Sequence, residues 1–216
     1  MSVEVWSDVV CPWCCIGRAH LERALAQFAH ADQVEVRFRS FELDPNAAND
    51  STRSVTEDLA RKYGRSEEEI LAMQAQITER AARVGLEFHL DRVVTCNSLD
   101  AHRLLHLAAD RGRQADLVQC LFRAYFADGA SLGDPDVLTH LAVDCGLDEG
   151  EVRDVLSTDR YLDAVRADEA EARALQVGGV PFFVFDRRLA RSGAQPPEVL
   201  LSALEQAWQA RTPTSA

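Results

Sequence analysis

The first forty residues switch twice between a strand pattern and a helix pattern. Residues 3–6 begin to alternate between apolar and polar side chains, which predicts a β-strand. Over residues 12–29, Leu21, Leu25 and Phe28 recur at helical spacing and predict a helix. Residues 34–38 alternate again and predict a second strand with one solvated face. Because a helix links the two strands, we expect them to be parallel with a right-handed crossover.

From about residue 54 to residue 177 the strand pattern is lost, and the chain reads as consecutive helices. Ser54 and Ser66 each precede a glutamate by three residues, which is the pattern of a capping box. Asp134-Pro135 combines an N-cap residue with a proline at the first helical position. The last helix of this stretch is predicted over residues 159–176. Glycines stand where helix ends are expected, at Gly64, Gly85, Gly112 and Gly146.

The C-terminal part returns to strands. Residues 180–186 form a short apolar run that predicts a strand, and residues 189–192 are suited to pair with it as a hairpin. Arg187-Arg188 is a poor centre for a tight turn, so a longer or bulged connection is expected. Pro197 opens a final amphipathic helix.

This order of elements predicts an α/β, thioredoxin-like fold with a helical domain inserted between the βαβ and ββα halves. Residues 1–54 and 178–210 would form the core, residues 55–177 the insertion, and residues 211–216 a flexible tail. A doubly wound dinucleotide-binding fold is excluded because no glycine-rich phosphate loop follows the first strand.

The net charge and the hydropathy of the chain limit the classes of binding partner that are expected. The 216 residues carry 35 acidic and 23 basic side chains, for a net charge of -12, and Lys62 is the only lysine. Such a surface repels phosphate backbones and anionic lipids, so neither nucleic acid nor membrane is an expected partner. No secretory leader pattern and no run of 18 apolar residues is visible, which favours a cytoplasmic protein. The oligomeric state stays open.

Six cysteines are unevenly distributed along the chain. Cys96, Cys120 and Cys145 stand singly and are interpreted as buried, inert thiols, with a role as redox partners as the other hypothesis. Cys11, Cys14 and Cys15 fall within five residues, at the end of the first strand and the start of the first helix. Cys15 is interpreted as a small apolar residue under the helix, with an alternative resolving thiol as the other hypothesis.

The spacing Cys11-Pro12-Trp13-Cys14 is typical of a redox-active pair. Cys11 at a helix N-terminus would be stabilised as a thiolate and is expected to expose its sulfur as the nucleophile. Cys14, one turn later, would face the core and resolve the mixed disulfide. Pro12 suits the first helical position, and Trp13 would place its ring beside the thiol as part of the substrate-binding surface.

A zinc site is the competing structural interpretation of a Cys-x-x-Cys pair. Zinc needs four ligands, and the sequence offers no second pair at ligand spacing. His102 and His106 are four residues apart, but Arg103 stands where a zinc protease carries glutamate. No metal is therefore expected.

Two further side chains are candidates for supporting roles. Asp8 is suited either to accept a proton from the Cys14 thiol or to cap a turn, and the sequence does not decide between the two. His102 lies beside an apolar helical stripe, which favours a structural histidine over an assistant at the rim of the site.

Four segments together resemble the FrnE-type, cytoplasmic branch of the DsbA family. They are residues 7–14, 97–104, 179–183 and 192–195, so the resemblance spans nearly the whole chain. It implies that the Val180-Pro181 peptide is cis and lies beside the active cysteines, where substrate backbone docks. It also implies that the helical insertion roofs the site and brings Asn97 near it. Cys15 departs from the family pattern, which tends to carry an aromatic residue there.

The expected function is disulfide exchange with protein or small-molecule thiols through the Cys-Pro-Trp-Cys pair, as in a DsbA/FrnE-like protein disulfide oxidoreductase. No cofactor is expected beyond the redox-active cysteines, with glutathione as a candidate co-substrate. One alternative is a glutathione-dependent isomerase or transferase similar to 2-hydroxychromene-2-carboxylate isomerase and the kappa transferases, which typically carry serine in place of the first cysteine. Another is a non-catalytic redox sensor or chaperone.

Overall fold

The computed structural model describes residues 1–49 and 54–211. Four strands form one sheet in the order β2-β1-β3-β4, with β1 (Ser2–Ser7) parallel to β2 (Glu35–Ser40). The hairpin of β3 (Phe182–Phe185) and β4 (Leu189–Ser192) pairs antiparallel to the other edge of β1. The α-helices within these ranges are α1 (Pro12–Leu25), α2 (Val55–Tyr63), α3 (Glu67–Arg83), α4 (Leu99–Asp110), α5 (Gln114–Phe126), α6 (Pro135–Asp144), α7 (Glu149–Ser157), α8 (Leu162–Ala174) and α9 (Pro197–Gln209).

The predicted fold class is confirmed, and the sheet has helices on both faces. Val3 and Val5 of β1 belong to the large core that also contains buried residues of α1 and α9. Trp6, on the opposite face of the same strand, packs with Ala172 of α8 and Val184 of β3. Since successive side chains of a strand point to opposite faces, both sides of β1 are covered and the strand is central.

A buried polar network fastens α8 to β2. Asp168 accepts the Ser40 amide at 2.9 Å and Arg39 at 3.0 Å, and His106 Nε2 lies 3.2 Å from its carboxylate. The Trp6 indole donates to the Asp168 carbonyl at 3.0 Å. Burial works against the charge, yet these partners outweigh it and lower the pKa of the Asp168 carboxyl.

Helix starts follow the sequence signals closely. Ser54 and Ser66 each form the full capping box with the glutamate three residues on, and Asp134 caps α6 with Pro135 at its first position. The four glycines expected at helix ends all have positive φ.

Helix lengths differ from the prediction in two places. The first helix ends at Leu25 rather than at residue 29, because the chain turns there and Phe28 packs back from outside the helix. The predicted helix over residues 159–176 is shorter, Leu162–Ala174, since Tyr161 has a left-handed backbone with φ 65° that starts it late.

The expected hairpin with a connection longer than a tight turn is confirmed, although its first strand ends at Phe185, one residue earlier than predicted. Asp186 and Arg187 have φ of 49° and 54°, and three residues connect the strands. The chain between β2 and β3 carries helices α2 to α8, while the domain division at residues 54 and 178 stays an interpretation. Of the predicted tail, residues 212–216 lie outside the described residues.

Candidate active site

Cys11 is the N-cap residue of α1, and Pro12 takes the first helical position. The amides of Cys14 and Cys15 donate to the Cys11 carbonyl at 3.0 Å and 3.3 Å, so the first turn is closed around this residue. The remaining amides of the helix start and the helix dipole make this a place where an anionic sulfur is stabilised.

The expectation that the Cys11 sulfur is exposed is wrong. Cys11 is 4% exposed and belongs to the main core. Its thiol lies 3.8 Å from the carbonyl oxygen of Val180, in the loop before β3. This loop belongs to the C-terminal part of the chain, so Cys11 is buried through a tertiary contact between segments that are far apart in the sequence.

The peptide between Val180 and Pro181 is cis, as the resemblance implied. Pro181 is buried against α1: a Cβ placed on Gly17 would lie 2.8 Å from its Cγ atom. The Pro181 carbonyl accepts the Gly193 amide at 2.8 Å, which ties the loop to the end of β4. Val180 and Pro181 are thereby held beside the cysteine pair.

Cys14, one helical turn after Cys11, is also buried, and its thiol interacts with that of Cys11. Burial raises the pKa of the Cys14 thiol well above its ordinary value, and the neighbouring Cys11 raises it further. The Asp8 amide and the Ser7 hydroxyl act in the opposite direction by hydrogen bonding to the sulfur. Ser7 was not singled out from the sequence.

Trp13 and Cys15 lie on different sides of α1. Trp13 is half-buried, and the Arg80 guanidinium of α3 lies 5.6 Å from its ring centroid, a cation–π contact. Cys15 is buried in the core, and burial raises the pKa of its thiol to about 12. A thiol held protonated in this way behaves as an apolar residue, which supports the interpretation of Cys15 as packing.

The buried carboxylate of Asp8 serves the backbone. It accepts the Leu43 amide at 2.7 Å and the Val10 amide at 3.4 Å, and it is fully buried. His102 of α4 is 1% exposed, with Nε2 3.4 Å from Asp8 Oδ1 but outside hydrogen-bond geometry. His102 thus lies under the active-site turn and not at a rim.

Asn97 and Cys96 lie in the loop that precedes α4. Asn97 accepts the Leu99 amide at 2.8 Å and donates to the Pro45 carbonyl at 3.1 Å, so it fastens this loop to the one after β2. Burial raises the pKa of the Cys96 thiol to about 12.

A cavity of about 510 Å³ opens beside the site. Asp8 and Val10 of the active-site turn line it together with Cys96 and Tyr125, and Arg61 and Lys62 of α2 also contribute. Tyr125, from α5, was not noticed in the sequence because its apolar neighbours mark it only as a core residue. Asp44 and Asp58 line the cavity as well, so it places apolar surface with charged side chains of both signs next to the active-site turn.

Within residues 1–49 and 54–211, no group of three or more His, Cys, Asp or Glu side chains is arranged to hold a metal ion. Elemental analysis is the test of the expected absence of zinc. None of the helices in these ranges is long and apolar enough to cross a membrane.

Comparison with known proteins shows the family. The model of the DSBA-like thioredoxin domain matches residues 2–205, so the chain belongs to the DSBA-like thioredoxin domain family. A probable DsbA oxidoreductase from Streptomyces coelicolor is 49% identical, with a TM-score of 0.94 over 100% of this chain and 93% of that one.

More distant structures share the fold alone. A cytosolic disulfide reductase DsbM from Pseudomonas aeruginosa, solved with glutathione, has a TM-score of 0.69 at 18% identity, covering 97% of this chain and 100% of that one. A 2-hydroxychromene-2-carboxylate isomerase has a TM-score of 0.68 at 14% identity and full coverage of both chains. Since one fold hosts both activities, function must be argued from the cysteine pair.

Proposed function

We propose that this protein is a thiol–disulfide oxidoreductase of the FrnE type that works in the cytoplasm through Cys11 and Cys14. Protein or small-molecule thiols and disulfides are its substrates, and glutathione is a candidate co-substrate. The observation that carries the proposal is the pair of free thiols at the start of α1, with the Val180 carbonyl 3.8 Å from the Cys11 sulfur.

The first step uses Cys11 as nucleophile. Its sulfur attacks one sulfur of a substrate disulfide, the substrate S–S bond breaks, and the released thiolate takes up a proton. The product is a mixed disulfide between Cys11 and the substrate. Because Cys11 is covered in the resting structure, the substrate must enter between α1 and the loop that carries Val180.

The second step uses Cys14, and the structure supplies a reason for its timing. Besides burial, the causes that raise the pKa of the Cys14 thiol are its hydrogen bond and its charge interaction with Cys11. Both depend on Cys11 being a free thiol or thiolate. Once Cys11 is bonded to the substrate they disappear, so Cys14 loses its proton more easily at the point where it must attack. Its attack on Cys11 releases the second substrate thiol and leaves Cys11 and Cys14 oxidised.

Substrate backbone is positioned by the loop before β3. The half-exposed Val180 directs its carbonyl at the Cys11 sulfur, and an extended segment lying along this loop would meet that sulfur. The cavity lined by Val10 and Tyr125 would receive a side chain of the substrate.

Reduction of insulin by dithiothreitol or glutathione tests the proposal. Wild type and Cys120→Ser, a control away from the site, should accelerate the reaction, and Cys11→Ser should not. A chaperone or sensor would bind without turnover. If wild type exchanges no disulfides while Cys11→Ser shows glutathione-dependent isomerisation, the isomerase alternative replaces this proposal.

A further inference from the structure

Cys120 and Cys145 come together on the side of the molecule formed by α5 and α6. Cys120 lies in the second turn of α5, and Cys145 is the C-cap residue of α6. The two cysteines are far apart in the sequence, from which each was interpreted as a single, inert thiol. In the structure both are free thiols, and Cys120 is close enough to Cys145 to raise the pKa of its thiol.

The backbone geometry shows why the two thiols meet. The Cys145 thiol donates to the carbonyl of Asp116 at 3.8 Å. Four residues separate Asp116 from Cys120, so in helix α5 this same carbonyl accepts the Cys120 amide. Helical side chains lean toward the N-terminus, so the Cys120 thiol points back to the turn that Cys145 already contacts.

We propose that Cys120 and Cys145 form a second dithiol–disulfide site, oxidised by a low-molecular-weight disulfide. This inference does not depend on the chemistry of Cys11 and Cys14. The disulfide would join α5 to the C-terminal end of α6.

The two thiols differ in solvent exposure, and this difference gives each of them its role. Cys120 is half-buried, whereas Cys145 is buried, and burial together with Cys120, Asp116 and Asp144 raises the pKa of the Cys145 thiol to about 12. Cys120 is therefore the sulfur that a small disulfide reaches first, and Cys145 is the one that resolves the adduct.

The chemistry balances as thiol–disulfide exchange. The Cys120 thiolate attacks one sulfur of the small disulfide, whose S–S bond breaks, and one small thiol leaves with a proton. Cys145 then gives up its proton to the second leaving thiolate as it attacks the Cys120 sulfur. The two protein thiols are oxidised, and the small disulfide is reduced to two thiols.

Tryptic mapping tests the proposal with oxidised glutathione as the probe. The chain has arginines at Arg113, Arg123 and Arg153 and no other tryptic site between them, so residues 114–123 and 124–153 each contain one of the two cysteines. Folded wild-type protein is equilibrated in glutathione buffers, quenched with acid, alkylated and digested. We expect the two peptides to be joined by a disulfide in oxidising buffers, and equally so in the matched control Cys96→Ser.

A variant that lacks one of the two cysteines gives the second readout. In Cys145→Ser, glutathione should stay attached to Cys120, and the Tm of the oxidised protein minus the Tm of the reduced protein should be a few degrees lower than in wild type. Because Cys11 and Cys14 are intact in both proteins, their oxidation cancels in this comparison. The proposal is overturned if both peptides stay separate and alkylated after Cys11 and Cys14 are fully oxidised. It is equally overturned if glutathione stays on Cys120 in wild type.

Discussion

Gly17 of α1 faces Pro181 so closely that a Cβ on residue 17 would lie 2.8 Å from the proline Cγ and 3.2 Å from the ring of Phe183. The helix that carries the cysteine pair and the loop that covers it are therefore in direct contact at a residue without a side chain. We expect the position of the Val180 carbonyl beside Cys11 to depend on this contact.

Gly17→Ala should disturb both stability and exchange. The added methyl group must displace the Pro181 ring, and overpacking of this kind costs about 1–3 kcal/mol. We expect a lower urea midpoint and slower insulin reduction, since the loop moves away from Cys11.

The matched control is Gly178→Ala, in the same loop, where an added Cβ meets nothing within 4 Å. It should leave both quantities close to wild type. Equal behaviour of the two variants would show that the contact between Gly17 and Pro181 does not position the loop.

The buried thiols Cys15 and Cys96 should make stability fall at high pH. Burial raises the pKa of each to about 12, whereas thiols of the unfolded chain ionise near pH 8.5. The folded state thus keeps protons that the unfolded chain releases. Stability is complete below the unfolded value and is lost as pH rises from there toward the folded value. At pH 10 the loss is about 1–2 kcal/mol per thiol.

Urea unfolding under reducing conditions at pH 8 and pH 10 measures this loss. Cys15→Ala should show a shallower decline than wild type between the two values, and so should Cys96→Ala. If the decline is the same in wild type and in both variants, these thiols ionise as easily in the folded protein as in the unfolded chain.

Asp8→Asn tests which of its two candidate roles the carboxylate has. Its contacts with the amides of Leu43 and Val10 favour the turn cap. An asparagine would turn its NH2 group toward one of these amides, so we expect a loss of roughly 1–3 kcal/mol in urea unfolding. The rate of Cys11 alkylation should change by less than about twofold, because the carboxylate acts on the backbone.

Asp44→Asn is the control, since Asp44 is an exposed acid in the loop that Asp8 holds. It should unfold like wild type. Should Asp8→Asn keep its stability and instead lose one step from the pH profile of mixed-disulfide release, Asp8 accepts the proton of Cys14.

Patterns among neighbouring residues predicted the helices and strands of the fold. The capping boxes at Ser54 and Ser66 and the proline of α6 depend on a few neighbouring residues, so the sequence contains everything needed to predict them. The succession of strands and helices along the chain followed from the switch between the two periodicities.

The features that the sequence did not predict depend on contacts between residues that are far apart in the chain. The buried state of Cys11 comes from Val180, and the meeting of Ser40 with Asp168 fastens β2 to a helix far along the chain. The proximity of Cys120 and Cys145 is of the same kind. A periodic pattern predicts which face of an element is buried, but it does not predict which partner buries it.

Cys11 forms the bond to substrate in the proposed mechanism, and trapping of the mixed disulfide shows which cysteine is used. Cys14→Ser removes the resolving sulfur, so the mixed disulfide should accumulate when the reduced variant meets oxidised insulin. Residues 1–18 form one tryptic peptide that holds Cys11 and Cys15, and tandem mass spectrometry within it locates the adduct. We predict that insulin is attached through Cys11. Attachment through Cys15 or Cys96, or no adduct at all, would contradict it.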